Sequence, residues 1–381
     1  MKKRIIALGL AAVLVLMLTA CGGGTGKGND SASAGSTDSA SKPIMEEPLV
    51  KEVADDGLCH IGILTYRNHG AAEETIKGFE DEFRSMMGST EVVFERMDAD
   101  GDSEKCARIA TGYANSGYKL IFAVGTEAVQ NAGAAVKDVP IIGACVTDYL
   151  LAEVVSSLEA PGGNITGVSS MGPINLQIDQ ITDVLPWPTK VGIVASGTEV
   201  GSKFQVSIAA QCLAEKNIEW ESYNGNTEET LREVLEKAAS ECSCLYLPTD
   251  SFVASHMDIV KEVSLSSQIP VITGDYHMCR GGGLFCYSID YEKHGRQAAA
   301  MAFDVLEKGE EISRMAVREE ELKDTQQYYN PEMAEALNWY DYGGMSPIVI
   351  AQPGEEAQSG ETQHDETQYG QTQYGEENTE Y

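Results

Sequence analysis

Several short polar pairs stand directly after apolar runs of strand length, and their side chains suit the capture of a small charged molecule. Thr147-Asp148 and Thr249-Asp250 each follow such a run, and Asp275 follows another. A carboxylate pairs with an ammonium group, and a hydroxyl both donates and accepts hydrogen bonds. Gly125-Thr126 ends a run and opens a helical stretch. Backbone N–H groups at such a corner, with the positive end of the helix dipole, suit a carboxylate. Thr65 and Tyr66 end the first run, with His69 three residues on, and Tyr276 follows Asp275. The two tyrosines offer rings that pack on another ring or cover a cleft. Taken singly, each Thr or Asp is equally a helix cap or turn residue. Their recurrence at strand ends favours binding.

The residues of catalysis are not assembled in the same way. There is no Gly-x-Ser-x-Gly elbow, Walker loop or His-Glu-x-x-His. The histidines, His60, His69, His256, His277, His294 and His364, lack metal-ligand spacing. Only His69 stands where it would touch a ligand, and His256 reads as packing. No catalytic residue, metal or cofactor is expected.

The elements that must position these residues alternate. Leu58–Leu64, Val92–Phe94, Leu120–Val124, Val139–Val146 and Ile165–Val168 read as strands. Between the first four, helical stripes run through Ile76 and Phe79, through Cys106, Ile109 and Tyr113, and from Thr126 to Val136. The rhythm then restarts. Strands at Val191–Val194, Ile218–Tyr223, Cys244–Leu247, Ile269–Ile272 and Leu284–Ile289 are separated by helical stretches such as Phe252–Val263, and Gly281-Gly282-Gly283 breaks the chain. Strand–helix alternation predicts parallel sheets buried on both faces, with right-handed crossovers. The fold class is α/β, with two Rossmann-like lobes. Ligands of such sheets bind at the carboxyl ends of strands, and two lobes face those ends across a cleft.

The two ends of the chain differ from this. Lys2-Lys3-Arg4, an apolar run from Ile5 to Leu18 and then Thr19-Ala20-Cys21 have the parts of a secretory signal. The run is short of the ~20 residues that span a bilayer. Leu-Thr-Ala-Cys resembles a bacterial lipobox, which implies that Cys21 is lipidated and becomes the mature N-terminus. Gly22 to Lys42 reads as a flexible tether. Beyond Pro353, Thr-Gln-His and two Thr-Gln-Tyr triplets recur at 362, 367 and 372 among Glu and Gly, an acidic composition of the disordered kind. The formal net charge is −32, and loss of the signal makes it three units more negative. Such a surface repels nucleic acid and anionic lipid. Eight cysteines remain besides Cys21, without a Cys-x-x-Cys. Their places inside strands and on apolar helix faces predict mostly free, buried thiols.

From about Cys59 to Asn338 the chain resembles the bacterial ABC-transporter substrate-binding proteins of the tryptophan/tyrosine type. The resemblance rests on motifs in order: Ile61-Gly62-Ile63-Leu64-Thr65 with His69 and Lys77-Gly78-Phe79, then Ala123-Val124-Gly125-Thr126-Glu127-Ala128, then Val146-Thr147-Asp148. Pro161-Gly162-Gly163-Asn164 running to Ser169, Leu247-Pro248-Thr249-Asp250, Gly274-Asp275, Ile289-Asp290-Tyr291 and Gly295-Arg296-Gln297 complete it. It implies a type I periplasmic binding protein, a venus flytrap that feeds a permease and an ATPase. It adds Ser169, Glu199 and Ser202 to the ligand-binding candidates. Two positions depart from the family: Gly201 stands where Asn is common, and Gly70 where Pro is frequent.

The expected organisation is a lipoprotein signal peptide over 1–20 and the lipidated Cys with its tether over 21–50. A first lobe takes 57–168 with 283–310, a second 169–282 with 311–342, and the acidic tail 353–381. The expected function is extracytoplasmic capture of a small zwitterion, an aromatic or other amino acid, by a monomer that is lipid-anchored to the cell membrane and serves an ABC permease. The alternatives are a ligand-sensing module for a membrane kinase or chemoreceptor, or a binder of a nucleoside or sugar. An enzyme is not expected.

Overall fold

The computed structural model describes residues 49–348, apart from 186–187, 320–322, 324 and 341–343. The signal, Cys21, most of the tether and the acidic tail lie outside the described residues.

The first sheet contains β1 (Cys59–Thr65), β2 (Val92–Asp98), β3 (Leu120–Val124), β4 (Ile141–Val146) and β5 (Ile165–Ser169) in the order β2-β1-β3-β4-β5, all parallel. The second contains β6 (Lys190–Ala195), β7 (Glu219–Asn224), β8 (Cys244–Leu247), β9 (Val271–Thr273) and β10 (Phe285–Ile289) in the order β7-β6-β8-β9-β10. The two orders are the same. In each, the chain reverses direction across the sheet beside its first strand, the switch point at which an open α/β sheet binds ligands.

Helices cover both faces. In the first lobe they are α1 (Gly70–Met87), α2 (Ser103–Asn115) and α3 (Thr126–Ala135); in the second, α4 (Ile174–Val184), α5 (Val200–Glu215), α6 (Glu228–Glu241), α7 (Ser251–Ala254), α8 (Met257–Ser267) and α9 (Tyr276–Gly282). Caps fix where several begin. Asp102 accepts from the N–H groups of Glu104 and Lys105 at the start of α2, and Thr227 and Thr230 cap each other reciprocally at the start of α6. Burial on both faces is legible residue by residue. In β3, Leu120, Phe122 and Val124 enter one core, and Ile121 and Ala123 the opposite one. In β8, Cys244 and Tyr246 alternate with Leu245 and Leu247 in the same way. Each large apolar side chain so buried contributes about 1.5–3 kcal/mol. Phe79 on α1 adds a stacked contact with Phe122, centroids 3.9 Å apart.

The sequence places 283–310 with the first lobe and 311–342 with the second; the hydrogen bonds divide this stretch differently. β10 pairs with β9 and belongs to the second sheet, where Phe285 packs on Trp339. The crossing follows it: α10 (Tyr291–Leu306) returns to the first lobe and sends Ala298, Ala299, Met301 and Ala302 into that core. Two glycines let α10 approach α1, since a Cβ on Gly78 would stand 2.1 Å from Glu292 O and one on Gly295 1.9 Å from Thr75 O. β11 (Arg318–Glu319) joins β5 in the first sheet, whereas β12 (Thr325–Tyr329) and β13 (Ser346–Pro347) join the second. β12 runs antiparallel to β10, a departure from the all-parallel expectation. Phe252–Val263, read as one helix, is interrupted at Ser255-His256 between α7 and α8. The short α9 and α11 (Pro331–Ala336) stand where no helix is expected.

All eight cysteines in the described residues are free; Cys106, Cys244, Cys279 and Cys286 are buried and the others half-buried. No helix among the described residues is long and apolar enough to cross a membrane.

Candidate ligand-binding cleft

The loops at the carboxyl ends of the two sheets meet around one small polar cavity. The first lobe supplies Tyr66, Arg67 and His69 after β1, Gly125, Thr126 and Glu127 after β3, and Cys145, Thr147 and Ser170 from the ends of β4 and β5. The second lobe supplies Glu199, Gly201 and Ser202 after β6, Thr249, Asp250, Ser251 and Ala254 after β8, and Asp275 after β9. Tyr291, at the crossing into α10, also borders it. The free space is about 60 Å³, room for a few waters at roughly 10–15 Å³ each.

Ten of the sequence candidates line this space: Tyr66, His69, Gly125, Thr126, Thr147, Glu199, Ser202, Thr249, Asp250 and Asp275. Four do not. Thr65 Oγ1 turns back into the first sheet and donates to Met97 O at 3.4 Å. Asp148 caps the next turn, accepting from the N–H groups of Leu150 and Leu151. Ser169 donates to Thr147 O at 3.0 Å, behind the cavity wall. Tyr276 packs edge-on against Tyr328, centroids 4.9 Å apart, in a separate groove with Asp290 and Lys293. Arg67 and Glu127 are cavity residues the sequence reading passes over, although each directly follows a residue it selects.

The second-lobe wall is bonded to itself. Asp250 is buried, and its Oδ1 accepts from the Val253 N–H at the start of α7. Its Oδ2 accepts from Ser196 N–H at 2.9 Å, Ser196 Oγ at 2.7 Å and Ser202 Oγ at 2.7 Å. Glu199 accepts from the N–H groups of Ser251 and Phe252 and from the Ser251 hydroxyl. Burial, with Asp250 and Glu127 nearby, pushes the Glu199 carboxyl up to about 8. Burial also raises Glu127 and Asp275 above the usual carboxylate range. Asp275 caps α9 through Met278 N–H at 2.8 Å.

The first-lobe wall leaves polar atoms without partners. Arg67 Nε and His69 Nδ1 are both buried and unpaired. Burial, with His277 second, pushes the His69 imidazole down to about 4, so the ring is neutral near pH 7. The Arg67 guanidinium stands 5.5 Å from the centre of the Phe252 ring on the opposite lobe. Further contacts cross the cleft: Gln205 Nε2 donates to Thr147 Oγ1 at 3.3 Å, and His277 of α9 meets Glu74 of α1. The lobes are closed on each other.

Residues 60–339 match the family described as ABC transporter substrate binding protein. The chain is 30% identical over 339 residues to a tyrosine-binding protein of Clostridioides difficile (strain R20291), an alignment that covers 88% of this chain and 92% of that protein. Among solved structures it is similar to a domain in complex with L-Trp from Streptococcus pneumonia, with a TM-score of 0.70 and 26% identity over 74% of this chain and 95% of that one. It is also similar to the ligand-free, open form of a substrate binding protein with adhesive properties from Clostridium difficile, with a TM-score of 0.61 and 28% identity over 77% and 100% of the two chains. A leucine binding protein from Thermotoga maritima, 10% identical with a TM-score of 0.55, shares the fold.

Proposed function

The chain belongs to the ABC transporter substrate-binding protein family, and we propose that it captures a zwitterionic amino acid in the inter-lobe cleft and delivers it to an ABC permease while a lipid on Cys21 holds it at the cell membrane. The observation that carries this reading is the pairing of unlike walls. Arg67 Nε, unpaired and buried, offers a charged donor to a carboxylate, and the start of α3 at Gly125-Thr126 adds backbone N–H groups beside it. Asp275, across the cavity, offers its carboxyl to an ammonium group. The proteins of this family bind substrates rather than transform them and work outside the cytoplasm. The relatives named for tyrosine and found with L-Trp put those two first among ligands to try. The better superposition on the L-Trp complex than on the open form, at no higher identity, agrees with a closed cleft. The tether is long enough to keep such a receptor mobile beside a permease.

Thermal-shift screening against amino acids, nucleosides and sugars tests the ligand class. A ligand at 100 times its Kd stabilises by about 2.7 kcal/mol, a rise of several degrees in Tm. A shift with a sugar or nucleoside and with no amino acid overturns the reading. Mass spectrometry of whatever co-purifies identifies the ligand directly, and metabolic labelling with a fatty acid tests Cys21 against Cys21→Ser.

A further inference from the structure

Helix α5 opens the second-lobe side of the cleft without a side-chain cap from its own N-cap residue, because Glu199 turns its carboxylate to α7. An acceptor comes from the other lobe: Glu127 Oε1 takes the Val200 N–H at 3.2 Å. The next residue, Gly201, lies flat against the first lobe. A Cβ there would stand 2.4 Å from Thr147 Oγ1, 3.0 Å from Thr147 Cβ and 3.3 Å from Thr126 Oγ1. Gln205, one turn on, donates to the same Thr147 hydroxyl. Val200, Gly201 and Gln205 thus form a seam with Glu127, Thr126 and Thr147 along which the two lobes touch directly.

Thr147 has little freedom to yield. It is buried and β-branched, its N–H bonds to Thr126 Oγ1 at 3.4 Å, and its carbonyl accepts from Ser169. A side chain at position 201 therefore holds the lobes apart. The closed cavity, about 60 Å³, is smaller than the roughly 150 Å³ that admits a benzene ring.

Building on the substrate-capture reading above, we propose that Gly201, with Glu127 as its partner across the seam, determines ligand size: the missing side chain lets the lobes close far enough to favour a compact amino acid over one carrying an indole. Both are positioning residues, acting through the distance between the lobes.

The test uses the full chain and the variants Gly201→Ala, Gly201→Asn and Glu127→Gln. Titration calorimetry with alanine, leucine, tyrosine and tryptophan reads selectivity, and small-angle scattering reads closure. For wild type the compact ligands bind more tightly than tryptophan. In the Gly201 variants the compact ligands weaken by roughly tenfold while tryptophan changes little, and the radius of gyration rises; Glu127→Gln moves both readings the same way by less. A cooperative thermal transition retained by Gly201→Ala separates the effect from unfolding. Unchanged selectivity together with an unchanged radius of gyration overturns the proposal. If wild type binds no amino acid, the functional reading falls, and scattering alone then decides the seam: a radius of gyration that does not respond to Gly201→Asn overturns it.

Discussion

The two walls of the cleft are built from the same topological positions and treated in opposite ways. After β6 and β8, the second lobe ties its polar groups together: Asp250 accepts four hydrogen bonds and Glu199 three, all from their own lobe. After β1, the first lobe leaves Arg67 Nε and His69 Nδ1 buried and unpaired. An unsatisfied buried polar atom costs about 1–3 kcal/mol, so the first wall carries a penalty that any hydrogen-bonding partner placed there would relieve. The contrast separates two kinds of polar residue in one cavity. Asp250 and Glu199 hold the shape of the second lobe, whereas Arg67 Nε and His69 Nδ1 keep their hydrogen-bonding capacity unspent.

Asp250 breaks the comparison most severely. As a strand-end carboxylate it reads as a ligand contact, but its bonds tie the loop after β6 to the starts of α5 and α7. Asp250→Ala leaves Ser196, Ser202 and the Val253 N–H without their acceptor and removes the cap of α7. The expected loss is about 3 kcal/mol of stability, read as a lower midpoint in urea unfolding, with Asp250→Asn recovering part of it. A variant that unfolds like wild type and only binds more weakly would return Asp250 to the ligand-contacting group.

Arg67→Ala sharpens the other side. It removes an unpaired buried atom along with the contact to Phe252, so stability should change little. Affinity for a zwitterion should fall by roughly tenfold, or ~1.4 kcal/mol, and affinity for a ligand that lacks the carboxylate should not fall by the same factor. Titration with an amino acid and with its amide separates the cases. Equal loss for both would mean that Arg67 acts by closing the cleft rather than by holding a carboxylate.

Much of this was legible in sequence, and the reasons for the rest are physical. Strand-to-helix corners are marked by Gly125-Thr126, Thr147 and Thr249-Asp250, and ten candidates meet in the cavity because parallel strands deliver their carboxyl ends to one edge. Thr65 and Ser169 are each the last residue of a strand, and their side chains bond back into the first sheet instead of out along the strand. Arg67 and Glu127 look like solvated charges until the opposite lobe covers them. Strand β10 and helix α10 follow each other in the chain as one strand–helix unit, and only sheet pairing and core packing assign them to different lobes. Thr325–Tyr329 is polar and half-buried, so nothing in its pattern signals an antiparallel strand.

Glu199 on one wall and His69 on the other respond to pH with opposite signs, and because the two responses oppose each other their net effect is the smallest expected. Burial holds the Glu199 carboxyl at about 8, against an ordinary value of 4.5. Below pH 8 the folded protein carries a proton there that the unfolded chain lacks, so stability rises as pH falls through that window. Burial holds His69 at about 4, against an ordinary 6.5. Below pH 6.5 the unfolded chain takes up a proton that the folded protein refuses, so stability falls. Wild-type Tm should climb as pH drops from about 8 to 6.5 and then level off where the two act together. Glu199→Gln should shrink the climb, with the raised Glu127 and Asp275 carboxyls supplying what is left of it, and expose the decline below 6.5; His69→Gln should let the climb continue towards 4.5. Three parallel Tm curves would mean that neither group titrates out of step with the unfolded chain, and the contrast between a self-bonded wall and an unpaired one would then rest on geometry alone.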